Sequence, residues 1–263
     1  MMTMPRWFWL RLSLCLVTAL LCAQPDQEAQ WKAFLAWLSA QPPDSKPANL
    51  IRPYRAELIR KGMSPAEAER ETDLLGHLAF TRPDGAKVLW NKVYGGHDPI
   101  FVQTPNALLA SAIEGRKPGK ALDFGMGQGR NTVFLAMQGW DVTGFDPSDE
   151  AVRLAQANAA KAGVKIRALV ASDDQFDFGV AQWDLIAMTY IRSLTIRDAE
   201  RIQRALAPGG IFVYENGSDR HNELLKLFLP FRILRFEDVD AFSDWHPGEK
   251  SRLERLVAEK PSE

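Results

Sequence analysis

The sequence predicts an α/β fold: a doubly wound, mostly parallel, seven-stranded sheet with an antiparallel last strand, behind a helical N-terminal region. Short apolar runs alternate with helical stretches from about residue 120 onward, and the first of these runs ends in glycines. Such alternation is typical of a parallel sheet covered by helices on both faces. The last two apolar runs are separated by a loop too short for a substantial crossover helix, which favours an antiparallel pair.

The helical region is predicted over residues 24–87. Apolar side chains recur at helical spacing over Trp31–Leu38, and a second helix is predicted over Leu50–Ile59. A third helix is predicted over Ser64–Phe80. Its start has a serine, then a proline, then a glutamate. Serine and glutamate side chains accept hydrogen bonds from the free backbone N–H groups at a helix N-terminus, and proline has no N–H group there. We therefore treat this region as separate from a sheet-forming domain over 88–263.

The strands and helices of the sheet-forming domain follow from apolar runs and from helical periodicity. The predicted strands are Ala121–Phe124, Trp140–Phe145, Val164–Val170, Trp183–Met188, Ile211–Tyr214, Phe231–Phe236 and Arg252–Ala258. The predicted helices between them are Arg130–Gln138, Ser148–Ala162 and Ile196–Leu206.

Composition and charge exclude several classes of protein. Hydrophobic residues make up 46% and charged residues 25%, which excludes wholesale disorder. The net charge is -1 and there is no long basic run, so no nucleic-acid partner is predicted. The four histidines lack metal-ligand spacing, so no metal site is expected. Both cysteines, Cys15 and Cys22, precede the predicted domains, which excludes a disulfide framework or a cysteine nucleophile within them.

The segment 1–23 has the composition of a secretory signal. Arg6 and Arg11 lie in or beside an apolar stretch, no acidic residue occurs before Asp26, and small residues follow near Cys22-Ala23. We expect cleavage and an exported, periplasmic or extracytoplasmic protein that begins near Gln24. The open alternatives are a retained membrane anchor, and a cytoplasmic protein whose translation starts later, for example at Met63. Any membrane association is expected through this segment only.

The chemistry is expected where the first strand ends. In Leu122–Asn131 a strand runs into three glycines at alternate positions and then into a helix. Glycine allows a sharp bend and a close ligand, and a helix N-terminus attracts anionic groups. The dinucleotide fingerprint would place its third glycine where Arg130 stands. The pattern is instead D-x-G-x-G-x-G, beginning at Asp123.

Further polar residues follow the next strands. Asp146 ends the second strand, where a carboxylate can accept both hydrogen bonds from a ribose diol. Asp173 and Asp174 follow the third strand, and Leu206–Gly210 forms a turn before the fifth. Ligands of open parallel sheets bind beyond the carboxyl ends of the strands, which is where these residues are predicted to lie.

This set of motifs resembles the class I S-adenosylmethionine-dependent methyltransferases, which have a Rossmann-like sheet. The run LDFGMGQGRNTVFLAMQGWDVTGFDPS is especially similar to the branch of tellurite-resistance and thiopurine methyltransferases. The resemblance covers about residues 88 to 260, and Arg252–Lys260 is similar to the last strand of the family. It implies S-adenosylmethionine as cofactor and a small-molecule methyl acceptor.

The resemblance also implies a cofactor site. Its members are Asp123, Gly125, Met126, Gly127, Gly129, Asn131, Asp146, Pro147, Asp173, Asp174 and Met188. Asp123 and the glycines would hold the methionine end of the cofactor. Asp146 would bind the ribose hydroxyls, and Asp173 or Asp174, with Gln175 and Phe176, would border the adenine.

Other residues are expected on the reacting side. The segment from Met188 to Ile191 would face the sulfonium, with Tyr190 as the candidate catalytic residue. Trp90 and Tyr94 resemble the aromatic segment that covers the site in the family. Met126 departs from the branch, which often has a cysteine or another small residue there, and this adds bulk near the loop.

Three functions follow from these motifs. The leading hypothesis is an active methyltransferase, in which a soft acceptor atom such as sulfur, selenium or tellurium would need no general base. The alternatives are a non-catalytic S-adenosylmethionine-binding protein, to which the export signal gives weight, and an NAD-dependent oxidoreductase. Arg130 and the terminal antiparallel pair count against the oxidoreductase.

Overall fold

The computed structural model describes residues 27–42, 50–82, 84–96, 101–217, 222–244, 248 and 250–262. The segment 1–23, for which export is predicted, lies outside them. The chain divides into two compact units, with the boundary between Gly85 and Ala86. In the ranges that the structure describes, none of the helices combines the length and the apolarity that crossing a bilayer requires.

The first unit contains three helices: α1 (27–39), α2 (Ile51–Arg60) and α3 (Pro65–Thr81). Aromatic rings on α1 and α2 form its centre, with the rings of Phe34 and Tyr54 packed edge to face at 5.2 Å. The start of α3 is a capping box, as the sequence predicts. Glu67 N donates to the Ser64 hydroxyl and Ser64 N donates to the Glu67 carboxylate.

The second unit contains the sheet. Its helices are α4 (Gly85–Tyr94), α5 (Ala107–Ile113), α6 (Arg130–Met137), α7 (Asp149–Ala162), α8 (Ile196–Ala205) and α9 (Glu223–Leu227). Its strands are β1 (Lys120–Phe124), β2 (Asp141–Asp146), β3 (Arg167–Val170), β4 (Trp183–Thr189), β5 (Leu206–Gly217), β6 (Arg232–Phe242) and β7 (Lys250–Glu259).

The seven strands form one sheet in the order β3-β2-β1-β4-β5-β7-β6. The pairs from β3 to β5 are all parallel, and β7 is antiparallel to both of its neighbours. The predicted fold class is therefore confirmed. Because the strand order reverses between β1 and β4, the carboxyl ends of these two strands flank a crevice, which is where ligands bind in such sheets.

Apolar clusters cover both faces of the sheet. One face packs Leu109 of α5 and Leu135 of α6 against the strands, and the other packs Ile202 of α8 and the Phe228 ring. The central strands β1 and β4 are largely apolar and buried, as expected for the part of a sheet that is covered on both sides. This rigid sheet positions the loops at its carboxyl edge.

Several predicted boundaries are wrong, and three of them have a clear structural reason. β3 begins at Arg167 rather than Val164, because Val164 N donates to Ala159 O and closes the end of α7. β5 begins at Leu206, which pairs with Trp183 before a register shift, rather than after a turn. β6 continues past Phe236 to Phe242, because its acidic residues pair with arginines of β7.

Candidate active site

The loop between β1 and α6 depends on glycine at three alternate positions. Gly125, Gly127 and Gly129 have φ values of 63°, 54° and 83°. These values lie in the left-handed region, which strains any residue with a Cβ. The alternate spacing in the sequence thus corresponds to a backbone that turns tightly at the crevice.

All three glycines also allow close packing, and a Cβ on Gly125 would clash with the side chain of Ile191. A Cβ on Gly127 would lie 2.5 Å from the hydroxyl oxygen of Tyr94, which is buried against the loop. A Cβ on Gly129 would lie 2.8 Å from the Cβ of Ala155 on α7. Gly127 therefore allows Tyr94 to pack on the loop, whereas Gly129 allows α7 to approach it.

An aromatic group lies over the loop. The ring centroids of Trp90 and Tyr94 on α4 are 5.9 Å apart, and Phe101 packs edge-on against Tyr94 at 5.5 Å. Burial raises the pKa of the Tyr94 hydroxyl well above its usual value, and the nearby Asp146 carboxylate adds to the effect. The placement agrees with the covering position that the resemblance implies for Trp90 and Tyr94.

Asp146 ends β2 beside the glycine loop. Its carboxylate accepts hydrogen bonds from Gly127 N at 3.0 Å and from Ser148 N at 2.9 Å. Burial raises its pKa to about 6, although both of these amide donors favour the ionised form. The side chain is thereby fixed at the edge of the crevice, in contact with the loop.

Asp123 is fully buried at the end of β1. Its carboxylate accepts a hydrogen bond of 2.6 Å from the hydroxyl of Thr132 in the first turn of α6. Burial raises the pKa of Asp123 to about 6, and the Thr132 hydrogen bond opposes this shift. Asp123 therefore joins the first strand to the helix that follows the loop.

Two predicted cofactor residues have side chains engaged elsewhere. The Met126 side chain packs with Val152 and Ala155 of α7 and lies over Gly144, where a Cβ would be 2.5 Å from its sulfur. The extra bulk at this position is thus accommodated beneath the loop by a glycine on β2. Only the backbone of Met126 takes part in the loop, where its N–H donates to Phe145 O.

Asn131 connects three elements. Its side-chain oxygen accepts from Asn106 N at 2.9 Å, and its side-chain nitrogen donates to the Thr189 hydroxyl at 3.0 Å. Asn106 is the N-cap of α5, and Thr189 ends β4. The structure therefore places Asn131 as a bridge between the loop, α5 and β4.

The loop after β3 is held in place by hydrogen bonds of its two aspartates. Asp173 accepts from Arg192 and, at 2.7 Å, from Arg201. Asp174 accepts from the Ser172 hydroxyl at 2.6 Å, and the Phe176 ring stacks on Phe145 at 4.2 Å. Asp173 thus connects the loop to two arginines outside it, Asp174 is engaged within the loop, and Phe176 presents an aromatic ring beside β2.

Two further predicted residues lie close by. Pro147 is partly exposed directly after Asp146, whereas Met188 is buried in the core beneath the crevice.

Arg192 links the loop of Asp173 to the start of α8 through Asp198. Burial opposes ionisation of Asp198, but hydrogen bonds from Arg192 and Thr195 lower its pKa to about 2.

Tyr190 directly follows β4, with a φ of 57° that is unusual for a residue with a side chain. Its hydroxyl donates to the Glu215 carboxylate and accepts from Asp244 N at 3.2 Å. Burial, reinforced by the hydrogen bond to Glu215, raises the pKa of Tyr190 far above its usual value. The phenol stays protonated at neutral pH and acts as a hydrogen-bond donor.

Sequence reasoning missed the polar network around Tyr190. Buried Glu215, on β5, accepts from Asn106 Nδ2 at 3.1 Å and from Arg255 Nε at 2.6 Å. Asn106 Nδ2 also donates to Asp244 at 2.8 Å. The available signal was a carboxylate directly after the apolar run Ile211–Tyr214, the same signal that identified Asp146.

The geometry of these residues can be compared with the parts of the predicted cofactor. A loop of glycines, a buried carboxylate at the end of β2 and an aromatic ring after β3 fit the methionine, ribose and adenine parts of S-adenosylmethionine. Among the residues that the structure describes, no group of three or more His, Cys, Asp or Glu side chains is arranged to hold a metal ion.

The sheet order and the loop after β1 define a class I methyltransferase fold. The family model described as "Methyltransferase domain" matches residues 121–210, which contain the glycine loop and Asp146. Residues 121–210 therefore match a methyltransferase domain, which confirms the predicted resemblance.

Solved structures share this fold. TehB from Haemophilus influenzae matches with a TM-score of 0.52 and 17% identity, covering 66% of this chain and 66% of TehB. The [4+2]-cyclase SpnF matches with a TM-score of 0.52 and 19% identity, covering 72% of this chain and 95% of SpnF. At these identities the likeness shows the fold alone, and fold does not determine reaction.

Curated relatives match over shorter stretches. Hemagglutinin 1 of Eikenella corrodens is 27% identical over 160 residues, 57% of this chain and 51% of that protein. Putative methyltransferase YqeM of Bacillus subtilis is 27% identical over 127 residues, 45% of this chain and 51% of that protein. Ribosomal RNA small subunit methyltransferase C of Alcanivorax borkumensis is 43% identical over 65 residues, 24% of this chain and 20% of that protein. The chain thus spans about half or less of each relative.

Proposed function

We propose that the protein transfers a methyl group from S-adenosylmethionine to a small-molecule acceptor. One observation carries this proposal: the Asp146 carboxylate is fixed beside the glycine loop by the N–H groups of Gly127 and Ser148. A buried carboxylate next to a loop of glycines offers an acceptor for a ribose diol and a backbone that a ligand can approach without a Cβ clash.

Each part of the crevice has a proposed role. Asp146, with Pro147 behind it, binds the ribose, and the backbone of the loop from Gly125 to Gly129 holds the methionine end. Asp123 acts by fixing the loop to α6 through Thr132. Phe176 covers the adenine, while Asp173 keeps its loop in place through the two arginines.

When bound, the cofactor supplies an activated methyl group, so the chain must hold the acceptor in line and exclude water. Tyr94 and its aromatic neighbours cover the loop, which serves the exclusion of water. Tyr190 donates a hydrogen bond and cannot serve as a base at neutral pH. This supports an acceptor atom such as sulfur, selenium or tellurium, which needs no deprotonation by the protein.

Titration calorimetry of the purified protein tests the proposal. We expect binding of S-adenosylmethionine and S-adenosylhomocysteine and no binding of NAD. Transfer of the methyl group from S-adenosylmethionine to a thiol acceptor distinguishes an enzyme from a non-catalytic binding protein. Binding of NAD without any response to S-adenosylmethionine would reject the proposal in favour of an oxidoreductase.

We also propose that the segment 1–23 directs export and is removed, leaving residues 24–87 as a helical region before the methyltransferase domain. Its composition supports this, because two arginines accompany an apolar run that is followed by small residues. N-terminal sequencing of native protein after cell fractionation tests it. A start near Gln24 outside the cytoplasmic membrane is expected, and a full-length or Met63-initiated chain in the cytosol would contradict it.

A further inference from the structure

Arg130 is a cation buried at the crevice. It is the first residue of α6, directly after the last glycine of the loop, and its side chain is 10% exposed. A positive charge at a helix N-terminus opposes the helix dipole, and burying a guanidinium is costly unless it is paired. Its position therefore requires a compensating anion.

The protein supplies that compensation only in part. Arg130 Nη1 donates to Thr104 O at 3.2 Å and lies 3.8 Å from the nearest Asp244 oxygen, beyond hydrogen-bond distance. That oxygen already accepts from Asn106 Nδ2 at 2.8 Å and from Ala107 N at 3.3 Å. Within the described residues, the edge formed by Arg130 Nε and Nη2 donates no hydrogen bond.

The guanidinium lies between the two walls of the crevice. Its carbon is 5.8 Å from the centre of the Tyr190 ring, after β4, while its backbone belongs to the end of the β1 loop. Its charge also acts on Tyr94 and Asp123, opposing the rise that burial causes in the pKa of each. A ligand that extends from the glycine loop toward Tyr190 would therefore pass this group.

We propose that Arg130 binds a ligand carboxylate in the crevice, contributed either by the amino-acid end of the cofactor or by the methyl acceptor. A guanidinium edge with two parallel N–H donors matches a carboxylate with two bonds, which a lysine cannot reproduce. This inference rests on the proposed function, because it assumes that the crevice takes S-adenosylmethionine and an acceptor.

Two matched ligands test the first source of the carboxylate. The full chain and its Arg130→Met variant are titrated with S-adenosylhomocysteine and with decarboxylated S-adenosylhomocysteine, which keeps the amine. If the cofactor supplies the carboxylate, Arg130→Met weakens binding of S-adenosylhomocysteine by about ten- to a hundredfold and leaves the decarboxylated ligand unchanged.

A second pair tests the acceptor. Methyl transfer from labelled S-adenosylmethionine is measured with 3-mercaptopropionate and with 3-mercaptopropionamide, which lacks the charge. If the acceptor supplies the carboxylate, Arg130→Met raises KM about tenfold or more for the acid and leaves that of the amide unchanged. Arg153→Met is the matched control, because Arg153 is 63% exposed on α7 and pairs with Glu150 on the same helix.

Arg130→Lys keeps the charge and loses the planar fork, so it decides the matter if Arg130→Met does not fold. It should show the same selective loss in one of the two pairs, at about tenfold. The proposal is overturned if the Arg130 variants match the wild type in affinity for both nucleosides and in methyl transfer to both thiols. If the wild type methylates neither thiol, unchanged affinity for both nucleosides overturns it. If the wild-type protein binds neither nucleoside, the proposed function fails together with this inference.

Discussion

The hydroxyl oxygen of Tyr94 lies 2.5 Å from the point at which a Cβ on Gly127 would be placed. No side chain fits between the two residues. The aromatic segment on α4 therefore rests on the loop because residue 127 is a glycine.

Gly127→Val is expected to abolish binding of S-adenosylhomocysteine in titration calorimetry. A branched Cβ would occupy the space shared by Tyr94 and the ligand, at a φ that side chains rarely adopt. Gly163→Val is the matched control, since Gly163 has a φ of 70° but nothing within 4 Å of its Cβ position. It should lose stability and keep its affinity. Unchanged affinity in folded Gly127→Val would place the ligand elsewhere.

Asp146→Ala is expected to weaken binding of S-adenosylhomocysteine by about a hundredfold to ten-thousandfold while the fold survives. Two hydrogen bonds to a charged acceptor are lost, each contributing roughly 1.5–3 kcal/mol. Asp141→Ala, at the exposed opposite end of β2, is the control and should bind normally. An Asp146→Ala variant that binds within about twofold of wild type would refute the ribose role.

The free energy of unfolding is expected to fall as pH rises from about 4 to about 6. Burial raises the pKa of both Asp123 and Asp146 from 3.8 to about 6, so the folded state binds more protons than the unfolded state in this window. The contribution is complete below pH 4 and is lost above pH 6, at up to about 3 kcal/mol for each group. Denaturant titrations at several pH values measure it.

The matched variant for this pH dependence is Asp146→Asn, which cannot ionise and should remove about half of the decrease. Ligand affinity should change in the opposite direction, because an ionised Asp146 is the stronger acceptor for hydroxyl groups. Binding of S-adenosylhomocysteine is therefore expected to strengthen between pH 5 and 7. A free energy of unfolding that rises through this window would contradict the assignment.

Tyr190→Phe is expected to lower the rate of methyl transfer while affinity for S-adenosylhomocysteine stays within about twofold of wild type. The change removes the donor to Glu215 at the end of β4 and leaves the loop after β1 intact. Tyr214→Phe also removes a buried hydroxyl, which donates to Arg192 O at 3.2 Å, and serves as the control. Equal turnover in both variants and the wild type would reduce Tyr190 to a structural residue.

The sequence predicts the order of the seven strands and of α6, α7 and α8 well, because apolar runs of strand length alternate with amphipathic helices, but it does not predict α4, α5 or α9. It predicts the ends less well. Val164 has a strand-like side chain, yet its N–H closes α7. Glu237 lies in a run that suggests a loop, yet it remains in β6 because it pairs with Arg255 across the strands. Both outcomes depend on partners that are not adjacent in the sequence.

In the candidate site, too, the residues that follow a local sequence pattern could be predicted, and those that depend on distant partners could not. Asp146 and the alternate glycines could be predicted, because their position after strands follows from local pattern. Asn106 could not be, since its hydrogen bond to Glu215 joins residues 109 positions apart. Met126 was expected at the cofactor on the basis of position alone. The presence of Gly144 beneath it decides that its side chain turns away from the crevice.

The insertion of β7 between β5 and β6 makes β6 run in the same direction as the first five strands. The carboxyl end of β6, at Phe242, therefore meets the crevice, and Asp244 just beyond it contacts Tyr190. The proposed ribose and adenine contacts come from the opposite half of the sheet. If those proposed contacts hold, changes at the end of β6 near Asp244 would alter the surroundings of Tyr190 without altering the proposed contacts of the methyl donor.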